Sequence, residues 1–262
     1  MVLAVLAASV MFSACKVEPA PEDLDGLAHW FWQHLDDESP EALQAGAVNL
    51  YAALDGAGFE GPLNGTITTL SADETGQVGH GDDNRDDLYG VFMANDIDCS
   101  TELLEYQVYA PNQDEMHPGT YVSYDREYTS DLEAYQARET EWLSWSSLYV
   151  VADTGVSYEA TILGTMRYVP EIDDSLGGPL IVSRGVLEAP AYANDAQDRG
   201  MFQDYQLEVY FPRGDQTLHM YAMWRDAVFF GMDFGNGGMQ TFVIDGMHDW
   251  DEDSEELCGV GP

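Results

Sequence analysis

The stretch VSYEATILGTMRYV, residues 156–169, decides the fold. Val156, Tyr158, Ala160, Ile162, Met166 and Tyr168 alternate with Ser157, Glu159, Thr161, Thr165 and Arg167. A period of two is the signature of a β-strand with two unlike faces. Gly164 interrupts the run and points to a bulge or bend. Asp153-Thr154-Gly155 reads as a turn before it, with a partner strand over 142–151.

The same pattern continues outward. Tyr205, Leu207, Val209 and Phe211 alternate up to the turn Arg213-Gly214-Asp215, and Leu218, Met220, Ala222 and Trp224 alternate after it. Residues 227–234 and 239–245 read as a third hairpin around Gly235-Asn236-Gly237-Gly238. Further strands are expected over 64–71, 88–96, 104–110, 119–125 and 178–187, and a helix over 127–139. Nine to eleven strands in adjacent hairpins, without a βαβ rhythm, imply an antiparallel sheet.

Residues 23–55 differ. Leu24, Leu27, Ala28, Phe31 and Leu35 recur at helical spacing, and so do Leu43, Ala47, Leu50, Tyr51 and Leu54. Ser39-Pro40 supplies a cap and a first-turn proline for the second helix, and Gly56 a stop. The expected fold class is therefore α+β, mainly β. An N-terminal αα-hairpin precedes a large antiparallel, curled or barrel-like sheet, and the two cover each other. Such a sheet against helices can enclose an apolar cavity, as open lipid-carrier barrels and helix-grip folds do.

Charge excludes several partners. The 262 residues hold 48 Asp plus Glu against 9 Lys plus Arg, a net charge of -39. Lys16 is the one lysine. Such a surface repels phosphate backbones and anionic headgroups, so no nucleic acid and no electrostatic membrane docking are expected. The depletion of lysine beside an excess of acid is similar to that of proteins from salt-adapted organisms, in which screening relieves self-repulsion.

Residues 1–14, MVLAVLAASVMFSA, are uncharged, apolar and too short to span a bilayer, as a secretory h-region is. They end at Phe12-Ser13-Ala14-Cys15, which resembles the lipobox of bacterial lipoproteins. Phe12 stands where leucine is usual, and a basic leading segment is absent. The resemblance covers about the first 20 residues. It implies cleavage before Cys15, acylation of that cysteine with palmitate-type chains, and attachment to the cell envelope. Lys16 in place of Asp implies the outer membrane under the enteric sorting rule. The division expected is a signal peptide over 1–14, a tether over 15–22 and one mainly β domain over 23–262. Cys99 and Cys258 remain, and in an oxidising compartment two cysteines pair.

Chemical motifs are sparse. The chain has no Gly-x-Ser-x-Gly elbow, P-loop, dinucleotide glycine pattern or His-Glu-x-x-His. His219 stands beside Tyr221 on the strand face opposite Trp224 and reads as a satisfied structural histidine. Asp82, Asn84 and Asp86 match the first three ligand positions of a calcium loop, but the sixth is Asp87 instead of glycine and the twelfth Met93 instead of glutamate. The cluster at 249–253 is also incomplete. No metal and no cofactor are expected. Three readings stay open: a non-catalytic envelope lipoprotein that binds an apolar ligand or a partner protein, an exported hydrolase with an unrecognised carboxylate or histidine site, and a calcium-stabilised surface module.

Overall fold

The computed structural model describes residues 19–56, 61–153, 155–170 and 177–260. Cys15 and the segment before it lie outside them. The chain runs α1 (Leu24–His34), α2 (Glu41–Gly56), β1 (Leu63–Ile67), α3 (Ala72–Gly76), β2 (Tyr89–Ile97), α4 (Thr101–Tyr109), α5 (Gln113–Met116), β3 (Ser123–Tyr128), α6 (Leu132–Gln136), β4 (Trp142–Asp153), β5 (Val156–Val169), β6 (Leu180–Leu187), β7 (Ala191–Tyr192), β8 (Gly200–Arg213), β9 (Gln216–Phe229), β10 (Met232–Asp233) and α7 (Gly237–Val260). The fold is α+β and mainly β. One antiparallel sheet of ten strands carries the order β1-β2-β9-β8-β6-β5-β4-β3, with β10 beside β9 and β7 beside β8. It is open, with β1 and β3 at its edges.

Strand alternation sends side chains to the two faces of the sheet, and a further cluster around Ile97, Leu104, Tyr135 and Met166 packs beside α4 and α6. Leu218, Met220, Ala222 and Trp224 of β9 join Tyr205, Leu207, Val209 and Phe211 of β8 against Leu27, Phe31 and Leu43 of the helical hairpin. The intervening residues Met223 and Ala227 join Val91 and Met93 of β2 against Met239, Val243 and Met247 of α7. Both faces of the sheet are therefore covered, one by α1 and α2, the other by α7. The loop after α1 is fastened by Arg167 of β5, whose guanidinium donates to the carbonyls of Leu35, Asp37 and Glu38. Arg184 of β6 adds an ion pair to Asp36 at 2.7 Å.

Several expected elements take another form. The strand expected over 104–110 is instead helical up to Tyr109 in α4, because the Ser100 side chain accepts from the Leu103 N–H and starts a helix there. The hairpin expected over 227–234 and 239–245 is absent. Strand β9 ends at Phe229, β10 has two residues, and Gly237–Val260 is α7. Met239, Val243 and Met247 are spaced by four and bury one helical stripe. The expected helix over 127–139 shortens to α6, since Ser123–Tyr128 pairs with β4. The strands expected over 64–71 and 119–125 stop at Ile67 and start at Ser123. Gly164 makes no bulge: it pairs in unbroken register with Trp145 and Gly185. It is glycine because the Trp145 indole lies across it, 2.1 Å from where a Cβ would stand. Cys99 and Cys258 are disulfide-bonded, with Cα atoms 5.6 Å apart. The bond fastens the C-terminal end of α7 to the segment that follows β2.

Candidate ligand-binding site

The sheet face beneath α7 carries an unusual set of residues. On β8 the alternate positions are Asp204, Gln206, Glu208 and Tyr210, and on β9 they are His219, Tyr221, Met223 and Arg225. A strand face this polar normally meets water. Here α7 lies over it, and the helix does not fill the space.

A trough of three compartments remains between sheet and helix. The outer one holds about 140 Å³ and is apolar, walled by Val156, Phe229, Phe234, Met239, Phe242 and Val243. The middle one holds about 330 Å³, with Tyr121, Tyr149, Tyr158, Tyr221 and Trp250 among its walls. The inner one holds about 110 Å³ and has mixed walls, with the polar side chains Gln113, Arg126, Ser147 and Ser183 beside aromatic ones such as Trp145 and Tyr124. Tyr158, Arg225 and Phe242 border both the outer and the middle compartments. Tyr121, Tyr149, Glu208 and Trp250 border both the middle and the inner ones. At the outer lip Phe230 is 52% exposed and Phe242 62%. Phe230 holds a left-handed backbone, φ 53°. That conformation costs a bulky residue about 1 kcal/mol, and such strain gathers at functional sites.

The buried charges are tied in two groups. Arg225 donates to both oxygens of Asp204, at 2.8 and 2.9 Å, and Gln206 adds a bond to the same carboxylate at 2.6 Å. Burial opposes the charge on Arg225, but the Asp204 carboxylate outweighs it and raises the pKa. In the second group, His219 Nδ1 stands 2.8 Å from Asp251 of α7, and its Nε2 stands 3.6 Å from Glu208. The ring stacks on Tyr210 with centroids 4.3 Å apart, and the Tyr210 hydroxyl donates to Glu208. Burial disfavours the imidazolium. The attraction of Asp251, the hydrogen bond to it and the proximity of Glu208 outweigh burial and push the pKa up to about 9. The expectation of a satisfied His219 is thus half met: Nδ1 has its partner, while the buried Nε2 has no hydrogen bond.

His117 lies near the inner compartment, stacked on Trp250 at 3.5 Å. Its burial lowers its pKa against the pull of Asp253 at 3.3 Å. The hydroxyls of Tyr121, Tyr149, Tyr158 and Tyr221 have no hydrogen-bond partner among the described residues. Burial raises the pKa of all four, so they stay neutral.

The residues singled out from sequence behave differently. Asp82, Asn84 and Asp86 lie in a surface turn, where Asn84 Oδ1 accepts from the Asp86 N–H at 3.3 Å. The 249–253 cluster is part of α7, so its acids point in several directions. Asp251 turns inward to His219, Asp253 approaches His117, and Asp249 and Glu252 are exposed. Among the described residues, no three His, Cys, Asp or Glu converge on a metal position. Sequence reasoning missed Glu208, Arg126 and the tyrosine cluster. The available signal was the run of polar alternates Asp204, Gln206 and Glu208 on a strand with neighbours on both sides.

No protein-family model matches the chain, and no curated protein matches it. Two solved structures are similar over part of its length. Ara h 8.0201 gives a TM-score of 0.40 at 6% identity, over 66% of this chain and 99% of that one. The STAR-related lipid transfer protein (fragment 25–204) from Xanthomonas axonopodis gives 0.39 at 9% identity, over 66% of this chain and 82% of that one. Both likenesses are remote, and neither carries a ligand or an activity over to this chain.

Proposed function

We propose that this protein is a lipid-anchored envelope protein that binds an elongated amphiphile between its sheet and its C-terminal helix, without chemical change to the ligand. The observation that carries the reading is the gradient along the trough, from aliphatic and aromatic side chains at the lip to Arg126, Ser147 and Ser183 at the inner end. Ligand sites are typically mostly apolar cavities with a few converging polar groups, and an apolar chain laid in the outer part gains about 0.8 kcal/mol per buried methylene. Cys15, acylated as its lipobox implies, would keep the cavity close to a source of such molecules.

The test is uptake of a neutral apolar fluorophore such as N-phenyl-1-naphthylamine by the full chain. Saturable one-to-one binding, displaced by long-chain amphiphiles, supports the reading. Absence of uptake, or displacement by none of them, contradicts it. The anchor is tested separately: Cys15→Ser should abolish incorporation of labelled palmitate and release the protein from the membrane fraction.

A further inference from the structure

The middle compartment carries a charge and a wall chemistry that together select one kind of head group. Beside Met223, Arg225 and Val243, its walls include several aromatic rings set at angles to one another. Tyr121 meets Tyr149 at 65° with centroids 5.4 Å apart, and Tyr149 meets Tyr158 at 72° and 6.4 Å. Tyr221 and Trp250 add two more rings to the same space, one from the sheet and one from α7. Rings turned edge to face around a space form a box, not a stack. The face of each ring is electron-rich and attracts a cation.

The charge count on the floor points the same way. Asp204 is balanced by Arg225. His219 can balance one carboxylate, and it stands between two: Asp251 at 2.8 Å and Glu208 at 3.6 Å. Even with His219 protonated, one negative charge is left over. Glu208, which borders both the middle and inner compartments, bears it. Two guanidiniums border the inner compartment: Arg184 is paired with Asp36, and Arg126 is occupied by Val108, Tyr124 and Ser147 and stacks over Trp145. Neither makes an ion pair with Glu208. Glu208 is partly exposed, accepts from the Tyr210 hydroxyl and shares His219 with Asp251, so a bound cation would complete its neutralisation. The net charge of -39 draws cations toward the trough and repels anions.

We infer that the tyrosine-walled compartment over Glu208 holds the cationic head of the ligand, a quaternary or protonated ammonium whose apolar chain runs outward to the Phe230 and Phe242 lip. This rests on the cavity-binding reading above and names the ligand class for it.

The experiment compares three amphiphiles of equal chain length, decyltrimethylammonium, decyl sulfate and decyl maltoside, by calorimetric titration of the full chain. About 1 M sodium chloride shortens the Debye length to about 3 Å, so the general surface field is removed and only contacts inside the trough discriminate. The ammonium is expected to bind at least about tenfold tighter than either other ligand, the yield of a desolvated cation–π site. Glu208→Gln should bring that ratio close to one. Should Glu208→Gln fail to fold, Tyr149→Leu removes one wall of the box and should reduce the ratio likewise. Equal affinities for the three, tighter binding of the sulfate, or a ratio untouched by both substitutions overturns the cation assignment and leaves the cavity reading in place. Binding of none of the three overturns both.

Discussion

His219 at the centre of the sheet and Asp251 on the C-terminal helix meet at 2.8 Å, and this contact fastens the helix over the floor of the trough. The His219 side chain is fully buried, so its charge depends on Asp251 and Glu208. Its pKa is raised from 6.5 to about 9. The raised value means that folding favours the protonated form. That stabilisation is full below about pH 6.5 and is lost as pH rises through about 9. The melting temperature should therefore fall between pH 7 and 10. His219→Gln should lower stability at pH 7, by about 3 kcal/mol, because the buried Asp251 carboxylate loses its cation. It should also flatten the alkaline dependence. An unchanged alkaline slope in that variant would contradict the assignment.

Glu74 offers the opposite case. Its carboxylate receives His29 at 2.6 Å, Gln33 at 2.9 Å and the Ser71 N–H at 2.6 Å, the last completing a capping box for α3. Burial alone would raise its pKa, but these bonds outweigh it and hold the group at about 2. The stability it supplies is present above about pH 4.5 and is lost as pH falls through about 2. Glu74→Ala should cost about 2–3 kcal/mol in urea denaturation at pH 7, since His29 and Gln33 lose a shared acceptor. A cost below about 0.5 kcal/mol, the range of ordinary surface changes, would refute this.

The surface as a whole should gain from salt. With 48 acidic residues against 9 basic ones, long-range repulsion disfavours the compact state. Raising sodium chloride from about 0.01 to 1 M shortens the Debye length from about 30 to 3 Å. The melting temperature should rise along that series. A flat or falling curve would show that the local pairs, such as Arg184 with Asp36, dominate the repulsion.

Much of this fold is legible in the sequence because local pattern and burial agree. The hairpins β4–β5 and β8–β9 carry long alternating runs, and each has a glycine at its turn, Gly155 and Gly214, with positive φ. The helical hairpin shows its stripe directly. The C-terminal helix hides for physical reasons. Its first turn is Gly237-Gly238, glycines that look like a hairpin turn, and Thr241, Val243 and Ile244 are β-branched. Its helical state comes from burying Met239, Val243 and Met247 on the sheet, a tertiary effect that no window of sequence contains. The candidate site is hidden for the same reason. Glu208 and Tyr221 read as outward-facing alternates until α7 is known to cover them. The disulfide was the exception, since Cys99 and Cys258 are the two cysteines beyond the N-terminal Cys15 and leave one pairing.

The most direct test of the account uses Gly246. It lies exposed in the middle of α7 on the border of the middle compartment, and a Cβ placed there meets nothing within 4 Å. Glycine inside a helix costs about 1 kcal/mol relative to alanine, so Gly246→Phe should fold at least as stably as the parent while its ring occupies the trough. The measurement is the affinity for N-phenyl-1-naphthylamine of parent and variant, with the melting temperature of each. The account predicts a loss of affinity of tenfold or more, with a melting temperature equal or higher. Undiminished binding in a folded Gly246→Phe protein would contradict it, because the ligand would then have to sit elsewhere.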